Sequence, residues 1–187
     1  MDKSTLRSEM KQKLKQLPKD SYDRNSLRIC QRLIEQPQWQ EAKTIGMTIS
    51  MTEKREVDTT PVIEKAWQQG KQVVIPKTFP SNHRLEFYKL SSFDQLEETN
   101  FGLKEPKTEQ TDLVQPRAID FLIVPGVVFD YDKYRIGFGG GYYDRFLTRY
   151  DGPTCSLAFE CQLVSKVPRE PFDLPVATII TNERVYE

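Results

Sequence analysis

A chain of 187 residues is long enough to bury a core and short enough for one domain, so a single domain over residues 1–187 is expected. Its 27 basic and 27 acidic residues cancel, leaving no excess positive charge to advertise a nucleic-acid or membrane partner. Cys30, Cys155 and Cys161 form neither a C-x-x-C nor a zinc spacing, no apolar run approaches a membrane span, and the charges within Met1–Arg7 interrupt any signal-peptide pattern, so a cytoplasmic chain is expected.

In chain order, Leu6, Met10, Leu14 and Leu17 recur at helical spacing behind Ser4 as cap, and Pro18 ends that helix. A second helix is predicted from Asp20 to Gln36, with Leu27, Cys30, Leu33 and Ile34 on one face and Pro37 as its stop. Thr44 to Ser50 reads as a strand. Thr60 as cap and Pro61 at the first helical position start another helix, which Gly70 closes. Gln72 to Pro76 carries contiguous β-branched residues, as in a strand covered on both faces. Leu85–Leu90, Ile119–Val124, Thr154–Phe159 and Val176–Ile180 are further strands, a short helix is expected from Tyr142 to Tyr150, and the polar stretch Glu97–Pro116 is expected to cross the surface irregularly. Strands alternating with helices predict an α/β fold, a mostly parallel central sheet flanked by helices in a Rossmann-like three-layer arrangement, with the site at the carboxyl ends of strands.

The glycines concentrate the chemistry. Gly137, Gly139, Gly140 and Gly141 lie in Arg135-Ile136-Gly137-Phe138-Gly139-Gly140-Gly141-Tyr142-Tyr143-Asp144-Arg145, where backbone N–H groups without Cβ neighbours can turn toward a phosphate. A hinge or tight turn is the other reading of such a cluster. A P-loop is excluded because Gly141 is followed by Tyr142 rather than Lys and Ser or Thr, and the dinucleotide fingerprint fails because its third glycine would fall on Tyr142. Arg135 and Arg145 can fork onto phosphate oxygens, and Asp144 can hold Mg²⁺ that the phosphates also ligate. The single histidine, His83, reads as a surface loop residue, which points away from imidazole-dependent chemistry.

Lys3 and Arg7, four apart on the first helix, project from one face and can close on the same polyphosphate, or form a solvated face. Glu56 follows a predicted parallel strand, Asp173 precedes the last one, and Phe101 sits in a loop where an aromatic can stack on a flat ring or anchor locally.

Taken together these motifs resemble the 5-formyltetrahydrofolate cyclo-ligase family along the whole chain. The segment Arg135–Arg145 is similar to that family's R-x-G-x-G-x-G-Y-Y-D-R signature, supported by Lys3-x-x-Leu6-Arg7, Asn100–Pro106, Pro125–Asp130 and Thr181–Arg184. Some members carry a lysine where this chain has Gly140, which leaves more charge compensation to Arg135, Arg145, Lys3 and Mg²⁺. The resemblance implies conversion of 5-formyltetrahydrofolate and ATP to 5,10-methenyltetrahydrofolate, ADP and phosphate, with the formyl oxygen phosphorylated before N10 closes the ring. It implies ATP binding by Lys3, Ser4, Thr5, Leu6 and Arg7 together with Arg135, Ile136, Gly137, Phe138, Gly139, Gly140, Gly141, Tyr142, Tyr143 and Arg145. It further implies folate binding by Met51, Glu56, Phe101, Tyr142 and Tyr143, Mg²⁺ at Asp144 and Asp173, and catalytic roles for Lys3, Arg135 and Tyr143. A monomer is expected, with ATP and 5-formyltetrahydrofolate as partners. Two other classes remain open at this point: a non-catalytic nucleotide-binding module, and a sugar-phosphate isomerase or acyl-transfer enzyme on a related scaffold.

Overall fold

The computed structural model describes residues 1–187. Helix α1 (Lys3–Lys15) starts at Asp2, whose carboxylate accepts the Thr5 N–H at 2.8 Å; Asp2, not Ser4, is the cap, because its side chain reaches back to the first turn. Pro18 then precedes α2 (Lys19–Ile34), which buries Tyr22, Ile29, Cys30 and Leu33. Pro37 does more than stop that helix: its fixed φ opens a further short one, α3 (Pro37–Glu41), around the fully buried Trp39.

Strand β1 is only Thr44–Gly46. Beyond it the expected strand leaves the sheet, because Ser50 N–H and Thr48 C=O are taken by the Thr59 hydroxyl, at 3.1 and 2.9 Å. That diverted segment becomes a site loop. Helix α4 (Thr60–Gln68) follows with Thr59 at its cap position, and Gly70, at φ +73°, turns the chain into β2 (Gln72–Phe79). A hairpin then gives β3 (Arg84–Leu90), which runs antiparallel to β2, so this predicted strand is not part of the parallel set. The stretch expected to be irregular contains a small hairpin, β4 (Leu96–Glu98) with β5 (Lys104–Pro106), and an edge strand, β6 (Leu113–Val114). The remaining strands are β7 (Phe121–Ile123), β8 (Val128–Asp130), β9 (Arg135–Ile136), β10 (Thr154–Leu157), β11 (Leu163–Val164), β12 (Thr178–Ile180) and β13 (Val185–Tyr186), with α5 (Tyr142–Leu147) after β9.

The main sheet has the order β13-β12-β10-β7-β1-β2-β3-β6, in which β12, β10, β7, β1 and β2 are mutually parallel, β13 and β3 run against them, and edge strand β6 pairs antiparallel with β3. Side chains alternate between its faces. Ile45, Val73, Ile75, Phe121, Ile123 and Ile180 enter a 26-residue core under α1–α4, whereas Val74, Leu122, Ile179 and Phe87 enter a 13-residue core with Phe146 of α5. Helices therefore cover one face fully, and α5 with adjoining loops covers the other, giving three layers. A smaller sheet, β11-β8-β9, hangs from the end of β7 and carries the chain toward the glycines.

The chain starts its sheet at β1, proceeds to β2 on one side, and later places β7 on the other. The carboxyl ends of β1 and β7 thus diverge at a switch point, where open α/β sheets form their crevice.

Candidate functional site

At that switch point a cavity of about 380 Å³ opens, walled by the loops after β1 (Thr48, Ser50, Glu56) and β7 (Val124 to Val127) and by Gln162. Phe138 of the glycine loop closes one side. Phe138 therefore joins the cavity to the loop, and the two make one site.

Two carboxylates line the cavity, exposed Glu53 and the more buried Glu56. Glu56 Oε2 accepts the Met51 N–H at 2.7 Å, and no protein group donates to Oε1. Burial raises its pKa above the ordinary carboxylate value, against the opposing pull of the Met51 N–H and the Lys54 charge. Met51 is buried and acts on the site through this backbone bond. Phe101 is 79% exposed at the tip of the β4–β5 hairpin, so it does not line the cavity; the adjoining Gly102 lies against the Met51 side chain.

The loop itself is built so that its amides stay unpaired. No backbone N–H from Gly137 to Asp144 has an acceptor in the protein. Gly139 and Gly141 have φ of +103° and +68°, which other residues adopt at a cost, and a Cβ on Gly140 would overlap the Tyr142 ring. Helix α5 ends at Leu147, short of the expected Tyr150, because Thr148, Arg149 and Tyr150 continue as single turns bonded three residues back. The site thus relies on individual amides rather than on a long helix. The loop carbonyls are held elsewhere: Arg7 Nε donates to Gly137 O at 2.7 Å, Arg145 Nη1 to Gly141 O at 3.3 Å, and the His83 ring nitrogen Nδ1 lies 2.7 Å from Gly140 O. Ile136 is buried in the core beneath.

Arg135 is more deeply embedded than its place in a phosphate motif suggests. Its side chain is 4% exposed; Nε donates to Pro125 O at 3.2 Å, and Nη1 reaches both Asp144 Oδ1 and Leu174 O at 3.4 Å. Only Nη2 has no partner in the protein. Beside it, the Tyr143 hydroxyl is buried with no hydrogen-bond partner, and burial raises the phenol's pKa well above its ordinary value despite the opposing Arg135 charge. An orphaned buried hydroxyl costs about 1–3 kcal/mol, which a ligand oxygen can recover.

Lys3 and Arg7 do not converge. Arg7 meets the loop, while Lys3 Nζ pairs with Asp173 Oδ2 at 2.6 Å and Glu170 Oε2 at 3.3 Å. Burial pulls the Lys3 pKa down, but the hydrogen bonds from Asp173 and Glu170 outweigh it and hold the ammonium above its ordinary value. Of the residues between them, Ser4 and Thr5 are exposed and Leu6 packs on the core. Asp144 and Asp173 flank Arg135 and its Leu174 contact, each with one oxygen unengaged, and no cluster of three acidic, histidine or cysteine ligands exists. Asp144 adjoins the unpaired amides, whereas Asp173 is tied to Lys3 and the Glu170 N–H, so a Mg²⁺ ion here would take most of its ligands from phosphates and water.

Sequence reasoning set His83 aside as a surface residue and did not single out Lys11, Lys15 and Lys54, which line the cavity. Lys3, Arg7, Lys11 and Lys15 recur every four residues along one face of α1, a basic stripe of which only the first two had been singled out. Burial, then the charges of Lys54 and Arg7, lower the Lys11 pKa.

The profile of the 5-formyltetrahydrofolate cyclo-ligase family matches residues 1–182. The chain is 34% identical over 160 residues to the 5-formyltetrahydrofolate cyclo-ligase of Escherichia coli K12, covering 83% of this chain and 87% of that protein. It is 32% identical over 190 residues to the mouse enzyme of the same name, covering 95% and 92%. The solved structure of 5,10-methenyltetrahydrofolate synthetase from Aquifex aeolicus superposes with a TM-score of 0.87 at 32% identity, covering 100% of this chain and 93% of that one. The Mycoplasma pneumoniae synthetase superposes at 0.79 with 26% identity, covering 97% and 99%.

Proposed function

The chain belongs to the 5-formyltetrahydrofolate cyclo-ligase family, and from that premise we propose that it converts 5-formyltetrahydrofolate and ATP to 5,10-methenyltetrahydrofolate, ADP and phosphate. The observation that carries this reading is the run of unpaired amides from Gly137 to Asp144, joined through Phe138 to a cavity holding a half-paired carboxylate. A non-catalytic module or a sugar-phosphate isomerase is not favoured, because the matched relatives bear cyclo-ligase and synthetase names.

In this reading the triphosphate lies along the amides of residues 137–144, with Arg7, Arg145 and the free Nη2 of Arg135 around it and Lys3 at the far side. The folate pterin enters the cavity, where Glu56 Oε1 accepts from ring nitrogens. Asp144, with Asp173, would hold Mg²⁺, which when bound screens the charge on the phosphates. The formyl oxygen attacks the γ-phosphorus and the bond to the β-phosphate breaks, releasing ADP; N10 then attacks the formyl carbon and loses its proton as the carbon–oxygen bond breaks and phosphate leaves. Neither step demands a strong base. Alignment and charge neutralisation supply the rate, and the Tyr143 hydroxyl, protonated through the neutral range, donates to the oxygen in transfer.

In this reading the protein is a cytoplasmic monomer, and its three cysteines are free thiols, as a reducing compartment keeps them. Mixing protein, Mg-ATP and 5-formyltetrahydrofolate should generate the near-ultraviolet absorbance of the methenyl product only when ATP is present. Absence of that band from folded protein would refute the assignment.

A further inference from the structure

His83 lies outside every residue set assigned above to a substrate, yet it touches the glycine loop twice. Strand β2 outruns its parallel neighbour: β1 pairs with Gln72 to Val74 only, and Ile75 to Phe79 pair with β3 alone. The β2–β3 hairpin is therefore a two-stranded arm projecting past the sheet. It is held in place by buried Glu105, which accepts Thr78 N–H and Oγ1–H at 2.8 Å each, and by Arg149, which donates to Leu85 O at 3.1 Å. At the tip His83 is exposed and left-handed, with φ +53°.

A carbonyl only accepts, so Nδ1 is the donor in the 2.7 Å contact with Gly140 O. The same ring packs on Tyr142 with centroids 5.3 Å apart, and the Tyr142 ring occupies the place a Gly140 Cβ would need. The peptide between Gly140 and Gly141 is thus held from both sides. That matters because it is a Gly–Gly peptide, whose plane can rotate with little steric resistance. In a trans peptide the C=O and the next N–H point in opposite directions, and this chain has no cis peptide. Fixing Gly140 O toward His83 fixes Gly141 N–H away from it, toward the side where the loop amides are unpaired; a flip would present an oxygen to the phosphate instead.

We propose that His83 is a positioning residue for the nucleotide, acting through the Gly140–Gly141 peptide. The inference rests on the loop being the phosphate site. His83→Leu removes the donor; His83→Asn keeps an amide nitrogen near the Nδ1 position and suits a left-handed φ. Calorimetric titrations of the full-length variants with Mg-ATP and with Mg-tripolyphosphate, beside steady-state kinetics, test it. The Leu variant should weaken both ligands roughly fivefold, the scale of one hydrogen bond. Its KM for 5-formyltetrahydrofolate should stay at the wild-type value, and Asn should restore most of the loss. Unchanged ATP affinity in the Leu variant, weakened ATP with intact tripolyphosphate, or an Asn variant as impaired as Leu would each overturn the proposal. Wild-type protein that binds ATP but not tripolyphosphate would overturn the phosphate assignment of the loop, and with it this inference.

Discussion

Replacing Glu56 with Gln isolates what the more buried cavity carboxylate does. The amide oxygen of Gln can still accept the Met51 N–H at 2.7 Å, so the loop after β1 keeps its shape. What changes is the free oxygen, which becomes an NH₂ facing the donors of the pterin. A hydrogen bond to a charged group is worth about 1.5–3 kcal/mol, so the KM for 5-formyltetrahydrofolate should rise roughly 10- to 150-fold, with the KM for ATP unchanged. The pH dependence gives a second readout. Burial raises the Glu56 pKa, so the carboxylate is lost, and folate affinity with it, at a pH above that where an exposed glutamate titrates; the Gln variant should lack this limb. For stability the sign is opposite: a raised carboxyl pKa means the ionised form is disfavoured by folding. The contribution of protonated Glu56 is fully present below its unfolded pKa and fades as pH rises through the folded value. The Gln variant should therefore be at least as stable as wild type at neutral pH. Steady-state kinetics across pH and urea denaturation check both. A KM for folate within twofold of wild type, with the acid limb intact, would refute the reasoning.

Arg135→Ala removes a nearly buried guanidinium that ties Pro125, Asp144 and Leu174 together, so beyond lost ATP use it should destabilise the fold by about 3 kcal/mol, read by urea denaturation. Wild-type stability would show that those contacts are dispensable. Tyr143→Phe deletes a hydroxyl that has no partner in the free protein; stability should hold or rise by about 1 kcal/mol while kcat falls at least tenfold. A stability loss without a kcat change would reverse the role given to this phenol. Asp144→Asn should raise the Mg²⁺ concentration giving half-maximal activity by roughly tenfold, measured at saturating ATP and folate, and an unshifted titration would remove Asp144 from the metal site.

Much of the fold was legible because its signals are local. Contiguous Val73, Val74 and Ile75 announced a strand buried on both faces, and Pro61 with Gly70 bracketed a helix. The errors fall where tertiary partners override local preference. The Thr44–Ser50 pattern suits a strand throughout, yet the Thr59 side chain competes for its backbone after Gly46. The antiparallel sense of β3 depends on a hairpin at 80–83 in which a histidine takes a left-handed φ, without the Asn-Gly or Gly-Gly pair that marks such turns. At the site, the glycine loop and Glu56 stood out by composition and position. The separation of Lys3 from Arg7 did not, because it depends on Asp173 and Gly137, both far away along the chain. His83 was dismissed as a surface residue; it is one, and its contacts with Gly140 O and the Tyr142 ring come from residues far along the chain.

The first helix is fastened to the rest of the molecule by Arg7 to Gly137 and Lys3 to Asp173, across sequence separations of 130 and 170 residues. During synthesis the leading segment therefore waits for its Arg7 contact until Gly137, and for its Lys3 contact until Asp173, has left the ribosome. The glycine loop and the helix that contacts it are consequently joined late. A product ending between Arg145 and Asp173 would carry the glycine motif intact and still be unable to fasten its own amino-terminal helix at the Lys3 end.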